Sequence, residues 1–143
     1  MLVPDAMSAL QAVGAAIGNV GLPHTTVELV NVRASQINGC AVCLEGDVRH
    51  AKAAGATDER LFLVAAWRDT PYFSEPERAA LALTEAVTRL NDRADAVPDD
   101  VWEYAAKHYD ETELAALVLQ IANINTWNRL NLATGQQAGV HTW

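Results

Sequence analysis

The sequence has few basic residues, few aromatic residues and only two cysteines. Its 143 residues include 10 lysines and arginines against 18 aspartates and glutamates, and the formal net charge is −8 at pH 7. No basic run is present to neutralise phosphates, which argues against nucleic acid and anionic membranes as partners. The chain has no apolar stretch long enough for a membrane span, and Met1–Asp5 has no export signal. We therefore expect a cytoplasmic protein.

The composition favours packed helices over a sheet. Hydrophobic residues make up 50% of the chain, aromatic residues only 6%, and alanine and leucine are abundant. No segment alternates between apolar and polar residues with the period of two that a half-buried strand shows. The length suits a single hydrophobic core. The sequence therefore predicts one all-α domain over residues 1–143, with about six to seven helices.

Apolar spacing and capping signals place these helices. Asp5 is expected to cap the first helix, whereas Ser74 and Asp110 begin the capping patterns of the fifth and the last. The predicted helices cover about 5–17, about 25 to the Asn38-Gly39 pair, 41–54, 57 to before Pro71, 77–90, a short segment from about 98, and 111–133. No periodicity follows Gly135, where Trp143 is a possible anchor.

Both cysteines belong to one C-x-x-C motif, Cys40 and Cys43. The motif follows Asn38-Gly39, and this dipeptide favours the left-handed backbone that closes a helix. Cys40 should therefore lie at the first turn of the third helix. Unpaired backbone N–H groups and the helix dipole favour a thiolate there. A dithiol in this position is suited to redox chemistry.

Two other interpretations of the cysteines stay open, half of a zinc site and two small core residues. Zinc requires four ligands, usually as two such pairs or as a pair with histidines. The chain offers one pair and four histidines that show no recognised spacing: His24, His50, His108 and His141. We therefore expect no metal, and a dithiol that cycles with a disulfide needs no bound cofactor.

Two more polar residues share a helix face with the second cysteine. Cys43, Asp47 and His50 stand at positions i, i+4 and i+7 of the third helix. His50 can act as a base or supply a cation beside Cys43, but a surface histidine is the simpler explanation. Asp47 would raise the pKa of a neighbouring thiol, unless it is an ordinary exposed carboxylate. We predict a site role for both, while His24 is expected to be incidental.

The segments Ser35–Cys43, Ala65–Phe73 and Ile124–Leu130 resemble the alkylhydroperoxidase AhpD-like group of the carboxymuconolactone decarboxylase superfamily. The resemblance implies that Cys43 attacks a peroxide, that Cys40 resolves the sulfenic acid, and that Glu28 belongs to a proton relay. It also implies an organic hydroperoxide substrate, a lipoyl- or thioredoxin-like dithiol donor, and assembly into homotrimers or hexamers. The group usually has a histidine at the position of Asp47, so the relay is altered here.

Three alternatives to an antioxidant peroxidase remain. An altered relay is compatible with a disulfide-reducing protein or with a non-catalytic module that kept the fold. A carboxymuconolactone-type decarboxylase is less favoured, because lactone decarboxylation has no use for a dithiol.

Glu28 also has a simple structural explanation as an acidic residue in the first turn of the second helix.

The last helix has two unusual features. Apolar residues lie on more than one side of it, which predicts contact with both the core and a partner subunit. It also carries Asn123, Asn125, Asn128 and Asn131, although asparagine is a poor helix former. If these amides are buried, they must be hydrogen-bonded to a neighbouring helix or subunit.

Overall fold

The computed structural model describes residues 3–90 and 92–140, and over these residues it is all-helical. His141 and Trp143 lie outside the described residues. The described part contains seven α-helices, and a 3-10 helix, Val64–Asp69, directly follows the fourth. The α-helices are α1 (Pro4–Gly18), α2 (His24–Asn38), α3 (Ala41–Ala53), α4 (Asp58–Leu63), α5 (Glu75–Thr88), α6 (Asp99–Ala106) and α7 (Glu111–Ala133). The predicted all-α fold is confirmed.

Helix α2 lies at the centre of the fold and packs against α3, α5 and α7. Its residues Val30, Val32 and Ala34 are completely buried. One apolar cluster joins α2 to α1, α5, α6 and α7, and a second joins α2 to α3, α5 and the 3-10 helix. Because α2 belongs to both clusters, its buried polar residues, which include Glu28, Arg33 and Ser35, lie between packed helices.

The two capping patterns are confirmed, but the predicted cap of the first helix is wrong. The Ser74 and Asp110 side chains accept backbone N–H bonds at the starts of α5 and α7, and a glutamate three residues later completes each capping box. Helix α1 begins one residue earlier than expected, at Pro4, and Val3 is its N-cap residue without a side-chain bond. Proline is preorganised for the first helical position, and this places Asp5 inside the first turn.

The fourth predicted helix changes its geometry half-way. It is α-helical to Leu63 and continues as a 3-10 helix to Asp69, with a non-helical Ala66 at φ −114° and ψ 27°. Thr70 is extended, as expected for a residue before proline. The Arg78 side chain donates to the carbonyls of Arg68, Thr70 and Phe73. These bonds satisfy carbonyls at and after the end of the 3-10 helix, where no following helical turn supplies an N–H group.

Helix α7 is the longest and has two different sides. Leu117 and Ile121 are completely buried in the core, whereas Leu119 is 52% exposed. Leu119 borders an apolar groove between α1 and α7 to which Val13 and Ala115 also contribute. The prediction that this helix is apolar beyond its core-facing side therefore agrees with the structure. No helix among the described residues is both long and apolar enough to cross a membrane.

Candidate functional site

The cysteine motif lies where α2 ends and α3 begins. Asn38 is the last residue of α2, and Gly39 follows in the left-handed conformation at φ 71°. The N–H of Cys40 then donates to the Ser35 carbonyl over 3.1 Å, and Cys40 becomes the N-cap residue of α3. Gly39 tolerates this backbone because it lacks a Cβ atom. The predicted turn and the position of Cys40 at the helix start are both confirmed.

Cys40 and Cys43 form a disulfide, and their Cα atoms are 5.3 Å apart. The two sulfurs have different surroundings. Cys40 is 1% exposed, whereas Cys43 is 9% exposed and lines a cavity of about 510 Å³. Among residues 3–90 and 92–140, the lining of this cavity includes Cys43 but not Cys40. After reduction, a small molecule in the cavity would therefore meet the Cys43 sulfur first.

Three helices line this cavity, which we call the Cys43 cavity. Helix α3 contributes the face that carries Cys43, Asp47 and His50, and the sequence predicted this face correctly. Helices α2 and α7 contribute mainly neutral amides and apolar groups. The residues from these two helices are Asn31, Gln120, Asn123, Ile124, Trp127 and Asn131. The cavity combines hydrogen-bonding amides with an aromatic wall.

Asp47 is a buried residue of this cavity and not an exposed carboxylate. It is 8% exposed, and the Ser35 hydroxyl donates to its Oδ2 atom over 2.7 Å. Burial raises the pKa of Asp47 to about 6, although the Ser35 hydrogen bond lowers it. Asp47 therefore exchanges a proton near neutral pH, one helical turn after Cys43.

Glu28 is also buried, but it does not line the Cys43 cavity. Helix α2 begins at His24, so Glu28 is its fifth residue, and the expectation of a first-turn acid is wrong. The pKa of Glu28 rises to about 7, because burial and the charge of Asp47 outweigh the opposing charge of His24. His24 Nδ1 lies 3.5 Å from Glu28 Oε1. The buried Oε2 atom has no hydrogen-bond partner in the described part of the chain.

His50 links the two groups of predicted site residues. Its exposed side chain borders the Cys43 cavity and also a second cavity, in which it meets His24 and Glu28. The structure thus brings Cys43, Asp47 and His50 into one cavity and places Glu28 behind them. His24, which the sequence suggested was incidental, contacts Glu28.

An amide network behind Asp47 was not predicted in detail. Asn128 is completely buried, donates to Ser35 over 3.0 Å, and accepts from Asn38 over 2.8 Å. Ser35 in turn donates to Asp47, so the network runs from α7 through α2 to the carboxylate. Asn125 accepts from Asn38 and donates to Thr88. The unusual asparagines of the last helix were the signal in the sequence. The expected bonds to other helices are present for Asn125, Asn128 and Asn131, whereas the buried Oδ1 atom of Asn123 has no partner among the described residues.

A third buried carboxylate, Glu85, was missed. Burial would raise its pKa, but hydrogen bonds from Arg68, Trp67 and Arg33, together with the charge of Arg33, lower it to about 2. Arg33 Nη2 and Arg68 Nη1 each lie 2.7 Å from a Glu85 oxygen. Arg33 is adjacent to the cysteine motif in sequence, yet its guanidinium bonds Glu85 and its charge is neutralised there.

No group of histidine, cysteine, aspartate and glutamate residues in the described segments is arranged to hold a metal ion. The side chains that line the Cys43 cavity carry a cysteine sulfur, a carboxyl, an imidazole and several amides. The model of the carboxymuconolactone decarboxylase family matches residues 4–86, which is more than half of the chain. The chain belongs to the carboxymuconolactone decarboxylase family.

Relatives of this member of the carboxymuconolactone decarboxylase family include two uncharacterised bacterial proteins. YdfG of Bacillus subtilis is 34% identical over 137 residues, covering 96% of this chain and 92% of that protein. YnjA of Escherichia coli is 33% identical over 106 residues, covering 73% of this chain and 56% of that protein. The first of these similarities extends the family relationship beyond residue 86.

Solved structures share this fold, and one of them supports the AhpD-like assignment within the family. A protein of unknown function from Agrobacterium tumefaciens, suggested to be the antioxidant defence protein AhpD, superposes with a TM-score of 0.89. It is 33% identical, and the match covers 96% of this chain and 93% of that one. The debrominase Bmp8 gives a TM-score of 0.80 at 21% identity, covering 96% and 73%. That second likeness shows the fold alone.

Proposed function

We propose that this protein is a thiol-dependent peroxidase that reduces organic hydroperoxides through Cys43 and Cys40. The observation that carries the proposal is the unequal placement of the two sulfurs. Cys43 opens onto a cavity of about 510 Å³, and its partner is buried beside it at the start of α3. An attacking thiolate needs access to substrate, whereas a resolving thiol needs access only to the attacking sulfur.

The proposed cycle balances with one dithiol donor per turnover. The Cys43 thiolate attacks the O–O bond, becomes a sulfenic acid and releases an alkoxide, which takes up a proton to give the alcohol. The Cys40 thiol then displaces hydroxide from the sulfenic acid sulfur, and water and the disulfide form. A lipoyl- or thioredoxin-like dithiol reduces the disulfide by two electrons. No bound metal or cofactor enters these steps.

We assign proton transfer in this cycle to Asp47 and His50, and assign Glu28 to proton supply. Asp47 and His50 share the Cys43 cavity, so either can exchange protons with Cys43 or with the leaving alkoxide through one water molecule. Glu28 shares a second cavity with His50 and not the cavity of the sulfur. Its pKa of about 7 allows it to hold or release a proton at neutral pH.

The test is to mix fully reduced protein with an organic hydroperoxide and follow disulfide formation by intact mass. We expect rapid loss of two hydrogen atoms in the wild type and none in Cys43→Ser. In Cys40→Ser, a sulfenic acid on Cys43 should accumulate and react with dimedone. If the thiols resist peroxide but oxidise with a small disulfide, the protein is a disulfide reductase instead. Thiols inert to both reagents would support the non-catalytic alternative.

We also propose that the protein forms homotrimers or hexamers, as the resemblance implies. The apolar groove between α1 and α7, bordered by Val13 and the half-exposed Leu119, is the surface we expect a second copy to cover. Burial of such a patch is favourable and is typical of contacts between identical subunits. Light scattering that gives the mass of a monomer would contradict this proposal.

A further inference from the structure

Asn131, near the end of α7, reaches the sulfur of Cys43. Its Nδ2 atom donates to Cys43 Sγ over 3.3 Å, although the two residues are 88 positions apart in the chain. We propose that Asn131 is a positioning residue that stabilises the Cys43 thiolate and thereby selects Cys43 over Cys40 as the attacking sulfur. This inference deepens the proposed function, and it rests on that function only in treating Cys43 as the attacking group.

A donor that never changes its charge is useful at this sulfur. The charged or titratable residues that face Cys43 in the cavity are Asp47, Arg49 and His50, and all three come from α3. Asp47 has a pKa of about 6, so at neutral pH it is mostly a carboxylate that disfavours a neighbouring thiolate. The Asn131 amide donates at any pH, and its bond becomes stronger once the sulfur carries a negative charge.

Two contacts hold the end of α7 that carries Asn131. The Gln136 N–H donates to the Asn131 carbonyl over 2.9 Å and closes the C-terminal turn of the helix. Further along, the Gly139 N–H donates to Glu45 Oε2 over 3.0 Å. Because Glu45 follows Cys43 by two residues on α3, this second bond ties the segment after α7 to the helix that bears the sulfur. The first bond therefore holds the helix end that carries Asn131, and the second holds the following segment against the helix that carries Cys43.

The experiment measures the thiolate pKa of Cys43 without any peroxide. In a Cys40→Ser background, the rate of iodoacetamide alkylation is followed by intact mass over a range of pH. We expect Asn131→Leu, which keeps the number and branching of the side-chain heavy atoms, to raise the Cys43 pKa by about one unit, so that about tenfold less thiolate forms at a pH well below it. Thr134→Val is the matched control, since it removes a side-chain hydrogen bond at the same end of α7.

A second variant and a second readout keep the inference testable. Asn131→Ala should shift the pKa in the same direction, and Asn131→Asp should shift it further because it adds a negative charge. In protein with both thiols reduced, peptide mapping after limited alkylation should show a smaller preference for Cys43 in Asn131→Leu. Unchanged pKa values in folded Asn131→Leu and Asn131→Ala would overturn the inference. Because no peroxide is used, a wild type that fails to reduce peroxides would overturn the proposed function separately.

Discussion

Asp47 is the residue at which this chain departs most clearly from the group it resembles. A histidine is usual at this position in that group, and here a carboxyl is buried in the cavity onto which Cys43 opens, with the Ser35 hydroxyl donating to it. Its pKa of about 6 means that it is half-ionised slightly below neutral pH. We therefore infer that Asp47 disfavours the Cys43 thiolate above about pH 6, where the carboxyl is charged. Below this pH the carboxyl is protonated and disfavours the thiolate less.

Asp47→Asn should increase the reactivity of Cys43 at pH 7. The amide keeps the shape of the carboxyl and can still accept from Ser35, but it removes the negative charge that disfavours the thiolate. We expect alkylation of reduced Cys43 to be up to about tenfold faster, which corresponds to a pKa lower by about one unit. Asp47→His should act in the same direction, because it restores the side chain that the resemblance leads one to expect.

The matched control for this prediction is Asp58→Asn. Asp58 is an exposed carboxylate paired with Lys52 at the start of α4, and its replacement changes the net charge by the same amount. Alkylation of Cys43 should not respond to it. An Asp47→Asn protein that reacts no faster than this control would show that Asp47 has no influence on the sulfur.

At the scale of helices, the site depends on the contact between α2 and α7. Asn128 replaces what would otherwise be an apolar core residue, and it is completely buried between Ser35 and Asn38. Its bonds fix Ser35, and Ser35 fixes the carboxyl of Asp47. The network therefore positions the Asp47 carboxyl through α2 and α7, two helices that contain no cysteine.

Asn128→Leu should destabilise the protein by about 3 kcal/mol, because Ser35 and Asn38 each lose one hydrogen-bond partner at a completely buried position. The expected measurement is the free energy of unfolding from urea titration at pH 7. Thr126 lies two residues before Asn128 on α7, and Thr126→Val removes only a side-chain bond to the Ala122 carbonyl, so it should cost less than about 1 kcal/mol. Equal losses in the two variants would contradict a special role for the buried amide.

The helices and the cysteine turn could be predicted from the sequence, because their signals are local. Ser74 and Asp110 lie next to the N–H groups that they cap, and Gly39 sets the backbone of the turn itself. The exact first residue of a helix is harder to predict. Helix α1 begins one residue earlier than expected, and Asp5 therefore lies inside the first turn and not at the cap. Glu28 was similarly placed in the wrong helical turn because α2 begins before the threonines that were expected to start it.

The partners of the site residues could not be predicted, because they come from distant parts of the chain. Asn131 and Cys43 are 88 residues apart, and Arg33 and Glu85 are 52 apart. Periodicity shows that a polar residue lies on a buried face, but it does not identify the helix that faces it. The asparagines of α7 illustrate this limit, since their need for partners was evident and the identities of those partners were not.

At the scale of the whole molecule, three buried carboxyls make the free energy of unfolding depend on pH. Asp47 and Glu28 act in one direction, and Glu85 acts in the other. The folded state raises the pKa of Asp47 from 3.8 to about 6 and that of Glu28 from 4.5 to about 7. It lowers the pKa of Glu85 from 4.5 to about 2. A raised pKa means that the folded state holds its proton more tightly than the unfolded chain does, and a lowered pKa means the reverse.

The free energy of unfolding should therefore pass through a maximum between about pH 4 and 5. The stabilisation from ionised Glu85 is complete above pH 4.5 and is lost as the pH falls towards 2, so stability decreases on the acidic side of the maximum. Above it, the stabilisation from protonated Asp47 and Glu28 is lost as the pH rises through about 6 and about 7. Each carboxyl contributes on the order of 3 kcal/mol, since one pKa unit corresponds to about 1.4 kcal/mol.

Urea unfolding of the oxidised protein from pH 3 to pH 8 measures this profile. Asp47→Asn and Glu28→Gln remove the groups that must ionise, so each variant should lose less stability than the wild type between pH 5 and pH 8. Glu85→Gln should lower stability at every pH above 4.5, because the buried Arg33 keeps its charge without a carboxylate. A wild type whose stability increases from pH 5 to pH 8 would show that Asp47 and Glu28 are ionised without cost, and the proton exchange assigned to them near neutral pH would then have no physical basis.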